Sequence, residues 1–184
     1  MDLQTLRDQP HLSASAVQDY LDCGMRYRLS RIERKPPECV HDSLVFGSVI
    51  HRALKLFHRE RMIGNHLDTE DLLRGFEQFW REDAEDRPEI RWMEGACFES
   101  LLEHGRALLS VYHEHVPRDG FRVVAVEEPF SLSVEGIPVP LIGVIDLVEE
   151  DSSGTIVVVD FKTTARACST EEVNRSMQLT LYGM

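Results

Sequence analysis

The chain has 184 residues, 42% hydrophobic and 28% charged, enough for one globular domain with a real core. No run reaches the roughly 18 apolar residues of a membrane span, and the N-terminus, Met-Asp-Leu-Gln-Thr-Leu-Arg-Asp, carries no apolar signal region. Cys23, Cys39, Cys97 and Cys168 lie apart without a C-x-x-C, which speaks against a disulfide framework and a self-contained zinc site, while the net charge of −12 speaks against nucleic acid.

In chain order, Ser13 or Ser15 can cap a first helix through Val17, Tyr20 and Leu21, extending past Gly24 toward Tyr27. The charge is uneven here. Residues 1–62 hold ten basic and eight acidic residues, hence +2, and residues 63–184 hold ten and twenty-four, hence −14. Arg26, Arg28, Arg31, Arg34 and Lys35 crowd into ten positions against one acid, Glu33, so a basic strip is available for DNA phosphates, with Arg26, Arg28 and Arg31 as its contacts. A solvated helix face explains the same strip. The acidic remainder implies weak intrinsic affinity, or delivery of DNA by a partner.

Lys35-Pro-Pro-Glu ends that unit, and a loop is expected to about Ser43. Phe46, Ile50, Leu54 and Phe57 recur at helical spacing and predict about four turns, stopping near Gly64-Asn. Thr69 opens a third helix with Leu72, Leu73, Phe76, Phe79 and Trp80 on one side. Glu82 to Glu89 reads as exposed linker, and a fourth helix covers roughly Ala96 to His115. These aromatic stripes are core rather than cofactor pockets. Beyond the turn Pro117-Arg-Asp-Gly120 the texture becomes β-rich: Phe121–Val126, Phe130–Val134, Ile137–Val148 and Thr155–Phe161. Glu171 to Tyr182 then predicts a helix with Val173, Met177 and Leu181 inward. The chain stops barely past its second turn, where a sheet of this kind would continue to another strand, so it reads as a C-terminally incomplete domain.

The chemistry concentrates in two strands. Gly143-Val-Ile-Asp146 precedes Asp160-Phe-Lys162 by a turn at 149–154. Asp160 and Lys162 are two apart, so on a strand both project from one face. If the strands pair, two carboxylates and an ammonium converge, a donor set suited to a hard divalent cation and phosphodiester hydrolysis. His51, beside Ile50, reads by itself as a structural histidine. Gly47, one turn earlier on the same face, costs about 1 kcal/mol relative to alanine unless something must approach closely there. A strand end reaching that glycine would bring His51 to the carboxylates.

Five elements resemble, in order, the RecB-like exonuclease branch of the PD-(D/E)XK nuclease superfamily. They are Leu12-Ser-Ala-Ser15 with Tyr20-Leu-Asp-Cys23 and Tyr27; Phe46-Gly47-Ser-Val-Ile-His51; Gly143-Val-Ile-Asp146; Asp160-Phe-Lys162; and Gln178-Leu-Thr-Leu-Tyr182. The resemblance implies a single domain over 1–184, with a mainly helical part (1–117) carrying the histidine motif and a β-sheet catalytic core (118–184). The fold class is α/β (α+β), a restriction-endonuclease-like mixed sheet flanked by helices.

By the same resemblance, Asp146, Asp160, His51 and the Phe161 carbonyl hold Mg²⁺ or Mn²⁺. Of the acids Glu127 and Glu128, strand alternation lets only one face the metal, taken as Glu128. Lys162 orients or helps deprotonate the attacking water and offsets charge on the phosphorane. Gln178 and Tyr182 share a helix face beside the active site. Some relatives use a cysteine at the position of Cys23, with three later ones, for an iron–sulfur cluster, which here would need cysteines after residue 184. Otherwise Cys23 reads as a small buried hydrophobe.

The implied activity is a metal-dependent DNA exonuclease in recombination or repair, beside a helicase. The alternatives are a non-catalytic DNA-end-binding module of a helicase–nuclease complex and a CRISPR-adaptation-type nuclease. DNA is the expected partner, with no membrane, and the cytoplasm the expected location.

Overall fold

The computed structural model describes residues 3–117, 120–164 and 168–183. Their elements, in chain order, begin with helix α1 (Leu3–Arg7), α2 (Ala14–Asp22), α3 (Gly24–Tyr27) and a π-helical turn (Arg28–Ile32). Strand β1 (Val40–His41) precedes the long helix α4 (Asp42–Met62); α5 (Thr69–Ala84), β2 (Ile90–Arg91) and α6 (Phe98–His115) follow. Strands β3 (Phe121–Leu132), β4 (Leu141–Asp151) and β5 (Ile156–Val159) lead to α7 (Thr170–Asn174) and α8 (Met177–Tyr182). The expected turn at Arg118-Asp119 lies outside the described residues. No helix among the described residues is long and apolar enough to cross a membrane.

Two compact units interleave along the chain: residues 1–37, 127–145 and 164–184 form one, and 38–126 with 146–163 form the other. In the second, Phe46, Val49, Ile50, Ala53, Leu54 and Phe57 of α4 bury against Leu72, Phe76 and Trp80 of α5 and Leu109 of α6. Gly105 of α6 admits the Phe76 ring so closely that a Cβ there would lie 2.1 Å from its Cζ. The Trp80 indole N–H donates to the Phe98 carbonyl at 3.1 Å, so even the largest core ring leaves no donor unpaired.

Caps set most of the ends. Ser13, not Ser15, accepts the Ala16 N–H and starts α2. Asp68 accepts the Asp71 N–H at 2.8 Å, and Cys97 with Ser100 forms a capping box at α6. The helix on Phe46 is 21 residues rather than about four turns. Its start moves back to Asp42, a buried acid whose carboxylate accepts the Ser43 and Met93 N–H groups.

The sheet order is β3-β4-β5, and β4 and β5 pair antiparallel with Leu147 opposite Val159 and Glu150 opposite Ile156. Strand β4 runs three residues past the expected Val148. The hairpin closes on Asp151, whose Oδ1 accepts the N–H groups of Ser153 and Thr155. Strand β3 continues through Pro129 because it lies at an edge of the sheet, where a missing N–H is tolerated. Glu127 there has φ 50°, which breaks the strand's alternation. In the first unit Leu12 bridges Leu141 of β4.

Two expected helices are broken. Cys23 has an extended backbone between α2 and α3, and its Sγ accepts the Arg26 N–H, so it is an exposed cap rather than a buried hydrophobe. Ser176 interrupts the last helix and caps α8 through the Leu179 N–H. Helix α5 also takes in residues 82–84 of the expected linker, while 85–89 are exposed as expected. The short elements α1, β1 and β2 were not expected.

Candidate active site

The β4–β5 register carries the two acids to the open end of the hairpin. Asp146, on β4, and Asp160, just past the last residue of β5, are the next residues beyond the Leu147–Val159 pair; β5 ends at Val159, two residues before the expected Phe161. The Phe161 N–H donates to Asp146 Oδ2 at 2.8 Å. On the other side, His51 Nδ1 stands 3.5 Å from Asp146 Oδ1. Helix α4 presents that histidine where the strand end comes nearest: a Cβ on Gly47 would sit 2.9 Å from Thr163 Oγ1. The close approach that the glycine suggested is present.

Electrostatics couple these groups. The hydrogen bond with Asp146 raises the His51 pKa above its ordinary value against the lowering effect of burial, and a backbone hydrogen bond with Phe161 adds to the rise. Burial by itself would push the Asp146 carboxyl up. The hydrogen bonds from His51 and the Phe161 N–H outweigh it and hold the carboxyl below the usual range.

Asp160 is almost fully enclosed, its side chain 6% exposed, and Lys162 Nζ lies 2.7 Å from its Oδ2. Its other oxygen, Oδ1, is buried with no hydrogen-bond partner. An unpaired buried carboxylate oxygen costs about 1–3 kcal/mol or more, so a native chain keeps one for a reason. Among the described residues no three His, Cys, Asp or Glu side chains close on a common point. Mg²⁺ does not require that, because it is held by one or two carboxylates and keeps several waters. A bare Asp160 Oδ1, the Asp146 carboxylate and the Phe161 main chain fit such an ion.

His51, Asp146, Asp160, Phe161 and Lys162 therefore belong to one compact unit. Gln178 and Tyr182 belong to the other, where the Gln178 amide donates to the Tyr182 hydroxyl, which in turn donates to the Val144 carbonyl at 2.8 Å. Glu128 is exposed on β3, and Glu127 is half-buried.

The basic strip is largely paired internally. Arg26 binds Asp19 and Asp22, Arg31 binds Asp19, and Arg28 and Lys35 both bind Glu33. Asp19 and Asp22 lie just upstream of the strip, one helix away in sequence. Arg7 and Arg34 have no anionic partner among the described residues. Arg7 and Arg31 line a cavity of about 430 Å³ with Ser13, Phe130, Gln178 and Tyr182. The same two arginines, with Arg34 and Tyr27, line an adjoining one of about 570 Å³.

Sequence reasoning missed the surroundings of Phe161. Its ring meets His51, His58 and Tyr112. His58, seven residues after His51 and so nearly on the same helix face, was the available signal.

A sequence model of the PD-(D/E)XK nuclease superfamily matches residues 11–184. The chain is also similar to one of the subunits of the ATP-dependent helicase/deoxyribonuclease of Streptococcus equi subsp. zooepidemicus, in strains MGCS10565 and H70 alike. The identity is 25% over 164 residues, 84% of this chain and 14% of each relative. The chain thus spans about one seventh of the length of those relatives. With its acids at the open end of one hairpin, its lysine two residues on and a family match over nearly all its length, the chain belongs to the PD-(D/E)XK nuclease superfamily and has its restriction-endonuclease-like mixed α/β fold.

Proposed function

We propose that this chain is a metal-dependent DNA exonuclease that hydrolyses phosphodiester bonds, working in recombination or repair beside a helicase. The observation that carries the reading is Asp160. One carboxylate oxygen is held by Lys162, and the other is buried and bare, while Asp146, at the same end of the hairpin, pairs with His51. The family and the name of the similar helicase/deoxyribonuclease support DNA as substrate and a helicase as partner.

A bound Mg²⁺ or Mn²⁺ would supply Lewis acidity and a water acidified toward neutral pH. Asp146, Asp160 and the Phe161 carbonyl would hold the ion, with His51 completing the set, and Glu128 is the further acid on the family pattern. Lys162, half exposed and paired with Asp160, would orient or help deprotonate the attacking water and offset charge on the phosphorane. Gln178 and Tyr182 would contact the strand on the family pattern.

The test is incubation of the protein with 5′-labelled linear DNA in Mn²⁺, Mg²⁺ or EDTA, beside Lys162→Ala. Cleavage that needs metal and vanishes in the variant supports the reading, and the product ladder gives its direction. DNA binding without cleavage by the wild type in any metal, also in a chain extended past Met184, would replace it with the end-binding module.

A further inference from the structure

Phe161 stands between the acid and the lysine of the proposed site, and on extended chain its side chain points away from theirs. Its ring stacks on His58 at 5.7 Å with 24° between planes, and meets Tyr112 edge-on at 5.9 Å and His51 at 6.1 Å. His58 is fully buried. Its Nε2 lies 2.6 Å from the Tyr112 hydroxyl oxygen, and its Nδ1 lies 3.2 Å from Arg61 Nη1. Arg61 also donates to Glu149 at 3.2 Å and to the Pro117 carbonyl at 2.9 Å, and both members of that ion pair are 10% exposed.

The donors and acceptors fix one arrangement. A guanidinium only donates, so His58 Nδ1 must accept; Nε2 then carries the proton and donates to Tyr112. Burial, with Arg61 beside it, depresses the His58 pKa to about 3, which keeps that tautomer neutral. A ring held at both nitrogens cannot turn, so the face it offers Phe161 is fixed. Stability gives little reason for this set, because apolar residues of similar volume commonly replace a buried ion pair at no loss. What the network adds is position.

We propose that Arg61, Glu149, His58 and Tyr112 form a positioning network that holds the Phe161 ring and, through it, sets the placement of Asp160 and Lys162. The inference rests on the nuclease reading for the catalytic role of those two residues, but not for the positioning itself. Tyr112→Phe deletes the hydroxyl and keeps the ring, and Phe161→Leu keeps apolar volume and loses the stacking.

Three quantities are measured on each variant: kcat and KM on labelled DNA in saturating Mn²⁺, hydrogen exchange of the Phe161 amide that binds Asp146, and Tm. Both variants are expected to lose about tenfold in kcat with KM within about twofold, as a small misplacement of reacting groups would produce. The Phe161 amide is expected to lose protection by a similar factor while core amides of α4 keep theirs. Wild-type kcat and wild-type protection at Phe161 in both variants would overturn the proposal, as would a loss of protection shared equally by all core amides. If the wild type cleaves no DNA, the nuclease reading fails and the exchange data alone decide the positioning.

Discussion

The Phe161 amide donates to Asp146 Oδ2 at 2.8 Å, so the segment bearing Asp160 and Lys162 is fastened to the opposite carboxylate through main chain. Side-chain substitution at Phe161 leaves that donor in place, whereas substitution at Asp146 removes its acceptor. Asp146→Ala is therefore expected to abolish cleavage and also to loosen the Phe161 amide. Hydrogen exchange at that single amide checks it.

Asp160 holds its bare oxygen at a cost. In EDTA, Asp160→Ala is expected to unfold no lower in temperature than the wild type, because it removes a buried acceptor whose partner is missing. Added Mn²⁺ is expected to raise the wild-type Tm and leave the variant's unchanged. A variant that unfolds well below the wild type in EDTA would count against a site strained for ligand.

Stability is expected to fall with acid through His58. Its folded pKa of about 3 lies below the usual 6.5, so the unfolded chain binds the extra proton first. The contribution is complete above pH 6.5 and is lost as pH falls from there toward 3, at no more than about 1.4 kcal/mol per pH unit. Urea unfolding at pH 7 and pH 5 should show a smaller difference for His58→Gln than for the wild type.

Two glycines separate packing from function. Gly105→Ala forces a Cβ into the Phe76 ring and is expected to cost about 1–3 kcal/mol or more by overpacking. Gly47→Ala meets only Thr163 Oγ1 at 2.9 Å, a side-chain atom that can rotate. It is expected to cost less stability and proportionately more activity, since the displaced residue follows Lys162. Thermal melts with cleavage rates distinguish the two.

The arginines chosen by charge density are expected to differ from those that matter for binding. Arg26 is held by two aspartates, so Arg26→Ala is expected to change DNA affinity little. Arg7 lines the cavities and, among the described residues, is held in no ion pair, so Arg7→Ala is expected to weaken binding and lower the salt dependence by about one charge. Fluorescence anisotropy of a labelled oligonucleotide in EDTA, across a salt series, decides between them.

The strands that carry the acids were legible because their apolar runs are bounded by turn residues, and their pairing followed from one short loop. Gly47 was legible as a mismatch with helix propensity. What the sequence hid depends on distance along the chain: Asp19 reaching Arg31, Met93 reaching Asp42, and Tyr112 reaching His58. The breaks at Cys23 and Ser176 were hidden for another reason. A side chain that caps the next helix outcompetes continuation, and periodicity sees only the apolar positions on either side.

The chain passes from one compact unit to the other after Pro37, inside β3, inside β4 and again after Thr163. Neither unit is one uninterrupted run of sequence. A gene cut between the helical half and the strand half would encode two partial folds, each missing strands or helices supplied by the other piece. Shuffling this module between longer proteins therefore requires moving it whole.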